Sequence, residues 1–113
     1  MDNKILGNKG ESLAYDYLKK QGLTILERNY KNKIGEIDII CKDGDVLVFV
    51  EVKHRESLKF GYPREAVNYH KQQKIRNVAA GYLKYKNLYE KCAVRFDVID
   101  IIGDNLTHIK NAF

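Results

Sequence analysis

Five charged residues, Glu11, Glu36, Asp38, Glu51 and Lys53, have the types and spacing to do chemistry together. Four of them sit in two segments dense in Val, Ile and Phe, 36–42 and 45–53, separated by Asp43-Gly44, a strong signal for a two-residue hairpin turn. With that turn, Ile40 faces Leu47, Asp38 faces Phe49 and Glu36 faces Glu51. Directly paired residues share a face and alternate residues return to it, so Glu36, Asp38, Glu51 and Lys53 point the same way, at the end of the hairpin far from its turn. A one-residue slip would flip every side chain. In this register Asp38 and Glu51 are diagonal neighbours about 7–8 Å apart at the backbone, free to converge on one ion.

Like charges so placed on a half-buried sheet destabilise it unless something compensates them, and the usual compensator is a cation. Magnesium suits the pair: it takes one or two carboxylates and fills its octahedral shell with water and phosphate oxygens. The main-chain carbonyl of Val52 is a further candidate ligand. Lys53, two residues beyond Glu51, can hold an attacking water or neutralise charge that develops on a phosphate. Glu11 lines up with Ala14 and Leu18 at helical spacing, so it points inward from a helix toward the same site. Each residue alone also fits an ordinary role: an ion pair of Glu51 with Lys53, a solvated Glu36, a first-turn Glu11 favoured by the helix dipole. Convergence of four acids and a lysine favours the site. Other chemistries find no support. No serine, cysteine or histidine sits in a nucleophile setting, and His54, His70 and His108 lack metal-ligand spacing, so each is expected to be exposed or structural. Cys41 and Cys92 are isolated in apolar runs, which predicts small buried hydrophobes in a reducing compartment and excludes structural zinc.

Around this hairpin the elements follow from periodicity. Leu13, Ala14, Tyr17 and Leu18 predict an amphipathic helix over 9–21, with Gly22 as its C-terminal cap. Residues 24–30 read as a shorter strand leading into the polar loop Lys31-Asn32-Lys33. After a loop containing Gly61, Pro63 stands at a first helical position. Ala66, Val67, Ile75, Val78, Ala79, Tyr82 and Leu83 form the stripe of a second helix running to about Lys86. Residues 93–102 form a further strand and 106–109 a short last one. The hairpin strands are apolar on both faces: Ile37, Ile39, Val48 and Val50 on one, Ile40, Leu47 and Phe49 on the other, so both faces must be covered. A strand reached through a helix normally joins in parallel. The expected fold class is therefore α/β, a three-layer sandwich with a mixed central sheet and a helix against each face.

A length of 113 residues, 44% of them hydrophobic and 31% charged, fits one domain over 1–113. No apolar run approaches the roughly 18 residues of a membrane span and Met1-Asp2-Asn3-Lys4 opens no signal peptide, so a soluble cytoplasmic chain with no membrane partner is expected. Net charge is +5 and unevenly spread. Residues 1–53 carry nine basic against nine acidic groups, 54–91 nine against three, and 92–113 two against three. An excess confined to one segment suits a polyanion, with Arg55, Arg64, Lys71 and Lys74 as candidate phosphate contacts.

Asp38, twelve intervening residues and then Glu51-Val52-Lys53 resemble the D-x(n)-E-x-K core of restriction-endonuclease-like nucleases. Around that core stand Gly10-Glu11 opening a helix, Arg28-Asn29-Tyr30, Gly35-Glu36-Ile37-Asp38, Phe49-Val50 before Glu51, Lys71-Gln72, Arg95-Phe96-Asp97 and Ala112-Phe113. Together these resemble, over essentially the whole chain, the YraN-like family of small bacterial endonuclease-like proteins, itself similar to archaeal Holliday-junction resolvases. The resemblance implies a restriction-endonuclease-like fold, a Mg²⁺ or Mn²⁺ site and a DNA substrate, with Asp38 and Glu51 as metal ligands, Lys53 as the catalytic lysine and Glu11 as an acidic partner. Ile37 stands where many such nucleases have proline. The leading expectation is a metal-dependent DNA endonuclease acting on branched or damaged DNA. The alternative is a nucleic-acid-binding module that keeps the fold without cutting. Resolvase-like enzymes generally act as dimers, and a patch near Phe60 and Tyr62, or the last strand, is the candidate face for a homodimer.

Overall fold

The computed structural model describes residues 3–56 and 67–113, with side chains from Lys9 onward. The order is α1 (Asn3–Lys20), β1 (Thr24–Lys31), β2 (Glu36–Asp43), β3 (Val46–Arg55), α2 (Tyr69–Tyr85), β4 (Ala93–Ile102) and β5 (Asn105–Ile109). The strands make one mixed sheet in the order β1-β2-β3-β4-β5, in which β3 and β4 pair in parallel across the α2 crossover and all other neighbours are antiparallel.

Both sheet faces are covered, as the apolar runs required. On one side α1 lays Ala14 and Leu18 on Ile39, Cys41, Val48, Val50, Ile99 and Ile101. On the other, Ile75, Val78, Ala79, Tyr82 and Leu83 of α2 meet Ile40, Leu47, Phe49, Phe96 and Val98. The α2 side is aromatic: Phe49 stacks on Phe96 at 5.5 Å, and Phe96 on Phe113 at 5.3 Å. The Arg76 guanidinium lies 4.8 Å over the Phe96 ring. Ala112 donates its N–H to the Phe96 carbonyl at 2.7 Å, so the Ala112-Phe113 pair closes this core. Gly22 ends α1 with φ +90°, a left-handed cap that brings the Leu23 N–H onto the Leu18 carbonyl.

Three local expectations are corrected. Asp43 stays in β2 opposite Val46, so the turn is Gly44-Asp45. Gly44 has φ +60° at the first turn position, as a glycine-first turn requires, and the Asp43 carboxylate is held by Arg95 at 3.0 Å. Ile37 leaves the Ile39 face and packs with Tyr30 in the α2-side core. Opposite this point β1 takes a left-handed residue, Asn29 with φ 51°, between the pairs Arg28–Ile39 and Tyr30–Ile37, which breaks the alternation. The second helix starts at Tyr69 because the Asn68 side chain caps it, accepting from the Lys71 N–H at 2.9 Å. Pro63, Ala66, Phe60, Gly61 and Tyr62 lie outside the described residues. Cys41 is buried, whereas Cys92 is only half-buried; both are free thiols. No described helix is long and apolar enough to cross a membrane.

Candidate active site at the open end of the hairpin

The shifted turn moves the β2–β3 register by one step on each strand while preserving parity. The last ladder pair is Ile39–Val50, and that register continued one step past the ladder sets Asp38 opposite Glu51 where the diagonal arrangement was expected. Here the ladder gives way, and the Val52 N–H donates to the Asp38 carboxylate at 2.8 Å. Glu51 is buried, with 6% of its surface exposed. Its carboxylate receives the Lys71 ammonium of α2 at 2.7 Å and the Lys53 ammonium at 3.8 Å.

The electrostatics are unbalanced. Burial, then the neighbouring charge of Glu51, pushes the Asp38 carboxyl up to about 7; the Val52 N–H opposes this, Glu11 adds to it and Lys71 opposes it. Burial and then the adjacent Lys71 hold the Lys53 ammonium below the usual lysine range. For Lys71 burial works downward, but its contacts with Glu51 outweigh it and the group stays above that range. One lysine is thus committed to Glu51, while its neighbour more readily gives up its proton.

Glu11 reaches this site through its field on Asp38. Gly10 lets the helix approach, since a Cβ there would come within 2.5 Å of the His54 Cβ on β3. Glu36 does not join the acid pair; it is exposed and pairs loosely with Lys31 at 3.7 Å on the rim. Asp38 and Glu51 open into a cleft of about 390 Å³ lined also by residues 31–36, Lys71, Lys74 and Ile75. Of the expected phosphate contacts, Lys71 and Lys74 line this cleft. Arg55 does not: its guanidinium grips the fully buried Asp100 at 2.7 Å. Arg64 lies outside the described residues.

Among the described residues no three His, Cys, Asp or Glu side chains gather into a metal cage. A hexahydrate-like ion needs only one or two carboxylates, and Asp38 facing Glu51 beside the Val52 backbone is such a donor set. Asp38 is raised first by burial and then by the charge of Glu51, which the protein has not fully compensated. The residues therefore fit a divalent cation.

Residues 10–101 match the family described as "Uncharacterised protein family UPF0102". This chain belongs to that family. Its UPF0102 relatives include a protein of Clostridioides difficile, 49% identical over 115 residues and all of both chains. Another, from Thermodesulfovibrio yellowstonii, is 51% identical over 108 residues, covering 96% of this chain and 95% of its own. A third, from Caldicellulosiruptor saccharolyticus, is 45% identical over all of both chains. The family assignment agrees with the YraN-like resemblance of the motifs, and the matched span carries Gly10, Glu11, Asp38, Glu51 and Lys53 of this UPF0102 protein.

Two parts of the site were not evident in the sequence. Lys71 was read as a phosphate contact, but it is the close partner of Glu51, a pairing across 20 residues of sequence that only the α2 packing reveals. The loop after β1 is the other. The Asn32 carboxamide oxygen accepts from the Ile34 N–H at 2.9 Å and the Gly35 N–H at 3.3 Å, and its amide donates to the Val78 carbonyl at 3.3 Å. This fastens one wall of the cleft to α2. The polar run Lys31-Asn32-Lys33 marked a loop, but the tie of Asn32 to Val78 was not legible in it.

Proposed function

We propose that this UPF0102 protein is a divalent-metal-dependent DNA endonuclease of restriction-endonuclease-like architecture. The observation that carries the reading is the opposition of Asp38 and Glu51 at an open cleft, with Asp38 raised to about 7 and two lysines at hand. Asp38, Glu51 and the Val52 carbonyl would hold Mg²⁺ or Mn²⁺. The ion would supply Lewis-acid polarisation of the phosphate and acidify water. The chain's own groups then have distinct roles. Lys53, with its weakened hold on a proton, takes one from the attacking water or meets charge on the phosphate. Lys71 neutralises Glu51 and orients it. Lys74, at the cleft wall, holds a flanking phosphate. Water oxygen bonds to phosphorus, one P–O ester bond breaks, and the leaving oxygen takes a proton.

The test is cleavage of branched, flapped and duplex DNA in Mg²⁺ and Mn²⁺ by wild type and Glu51→Ala. Wild type is expected to cut at least one substrate and the variant none; no difference between them overturns the enzyme reading. One observation favours a second reading, a binding module that does not cut: Lys71 already sits 2.7 Å from Glu51, where a cation would compete. That module predicts salt-sensitive DNA binding unchanged by Glu51→Ala, with no cleavage by either protein. A homodimer would suit a four-way junction and is checked by sedimentation.

A further inference from the structure

A second cleft, of about 550 Å³, lies beside the first and is lined by Tyr30, Lys31, Asn32, Lys33, Ile34, Gly81 and Tyr85. The two clefts share Lys31, Asn32, Lys33 and Ile34, so the loop after β1 is the partition between them. That partition is built firmly. Asn32 ties it to α2, and Gly81 permits the tie, since a Cβ there would lie 2.9 Å from the Asn32 amide nitrogen. Ile34, which lines both clefts, stands on the crest with 47% of its surface exposed, an apolar side chain offered to solvent next to Lys33. The second cleft differs chemically from the first. Its lining has two lysines and no acid, and it carries the phenol ring of Tyr85, 76% exposed, together with Tyr30, which is braced edge-on against Tyr82 at 5.0 Å.

We infer that this second cleft binds an unpaired nucleobase of a DNA strand whose adjoining phosphate occupies the Asp38–Glu51 cleft. A base has an apolar face for Tyr85, and the anionic backbone beside it matches Lys31 and Lys33. A fully stacked duplex offers no base to this cleft, whereas a strand leaving a duplex does. Ile34 on the crest has the character of the apolar wedges that separate base steps. The site rests on the nuclease reading for its role in selecting a cutting position, but base binding itself needs no metal.

The experiment uses flap DNA carrying 2-aminopurine at the first unpaired position, mixed with the full chain in EDTA. Stacking in the cleft quenches the fluorophore. Wild type is expected to quench it and to favour the flap over a paired duplex of equal length. Tyr85→Ala reduces the quenching and lowers the flap-to-duplex affinity ratio about tenfold. Ile34→Ser reduces the ratio less. Circular dichroism confirms that both variants, altered at exposed positions, stay folded. Equal affinity for flap and duplex, quenching untouched in Tyr85→Ala, or a Tyr85→Ala effect on self-association alone overturns the inference. The two readings fail separately. Quenching without any cleavage in Mg²⁺ or Mn²⁺ removes the nuclease reading and keeps the base site. Cleavage that ignores unpaired bases and Tyr85 does the reverse.

Discussion

Asp38 and Asp97 are both acids on strands flanking β3, yet the protein treats them in opposite ways. Asp97 is fully buried and surrounded by donors: Arg95 at 2.8 and 3.0 Å, the His108 ring at 2.7 Å and the Asn111 N–H at 3.0 Å. Burial works to raise its carboxyl, but His108, Arg95 and Asn111 outweigh burial and hold it below the ordinary range. His108 is in turn held by the Tyr17 hydroxyl of α1 at 3.1 Å, so this network ties β4, β5 and α1 together. Asp38 has one backbone donor, and burial, then the charges of Glu51 and Glu11, raise it to about 7. A carboxylate that the fold completes is part of the framework. One left short of positive charge beside an open cleft is where a charge from solution belongs.

The sharpest test of that contrast substitutes each acid by its amide. Asp38→Asn keeps an oxygen for the Val52 N–H and removes the repulsion, so the metal-free protein at pH 8 is expected to melt higher, by roughly 4–8 °C. On the nuclease reading, cleavage should fall by about 10³-fold or more, since Asp38 would there be a metal ligand. Asp97→Asn should do the opposite. It takes the buried carboxylate from His108 and from Arg95, which keeps only Asp43, and costs about 3 kcal/mol, with activity per folded molecule retained. Melting curves and cleavage assays on the two variants check both halves, and an Asp97→Asn protein as stable as wild type would break the contrast.

Arg55 extends the comparison to a residue that charge alone assigned to DNA. Its partner Asp100 has no exposed surface, and the pair is bidentate at 2.7 and 3.3 Å. Arg55→Ala is therefore expected to cost roughly 3–4 kcal/mol of stability by leaving a buried carboxylate unpaired. Lys74→Ala, on the cleft wall, should leave stability within about 0.5 kcal/mol and reduce the salt slope of DNA binding by about one. Urea unfolding and salt titration separate the two; equal stabilities would return Arg55 to the DNA-binding face.

What the sequence conveyed, and what it withheld, follows the range of the forces involved. The β2–β3 hairpin, the parallel crossover and the two covered faces come from apolar spacing and turn signals, which are local, and all were legible, whereas the β1–β2 and β4–β5 pairings were not read. The common face of Asp38 and Glu51 was legible too, because both candidate two-residue turns preserve parity. Their direct opposition was not, since it hangs on whether Asp43 or Asp45 joins the turn, and Arg95, 52 residues away in sequence, holds Asp43 in the strand. The basic segment misled for the same reason. Arg55 and Arg76 look alike in a charge count, but Asp100 and the Phe96 ring claim them after folding.

The two acids also respond to pH in opposite windows. Asp97 is depressed, so its stabilisation is present above an unfolded value near 4 and is lost as pH falls through its folded value. Asp38 is raised from 3.8 to about 7, so between those values the folded state binds more protons than the unfolded one and stability falls as pH rises. From pH 4 to 7 this group alone should remove on the order of 2–3 kcal/mol from the metal-free protein. Asp38→Asn should flatten that limb and leave the acid limb in place. Melting temperatures in EDTA across pH 3–8 give the answer, and an unchanged neutral limb would mean that Asp38 ionises normally.

The smallest effect concerns Lys71, the cation nearest to Glu51 among the described residues. The Lys71 ammonium is 2.7 Å from Glu51, but 41% of its side chain is exposed, so solvent screening limits the pair to about 1 kcal/mol or less. Lys71→Gln should therefore lower stability only slightly in EDTA. It also withdraws the charge that holds Asp38 down, leaving the acid pair more in need of a partner. Added Mg²⁺ or Mn²⁺ is then expected to raise the melting temperature further in the variant than in wild type, because the ion meets two carboxylates without the nearer of the two competing ammonium groups, Lys53 at 3.8 Å being the other. The same titration on Arg95→Gln should show no such rescue, since Asp97 is fully buried and enclosed by His108 and Asn111. A lysine whose loss a metal ion makes good, set against an arginine whose loss it does not, would separate a site that takes a ligand from one that completes the fold.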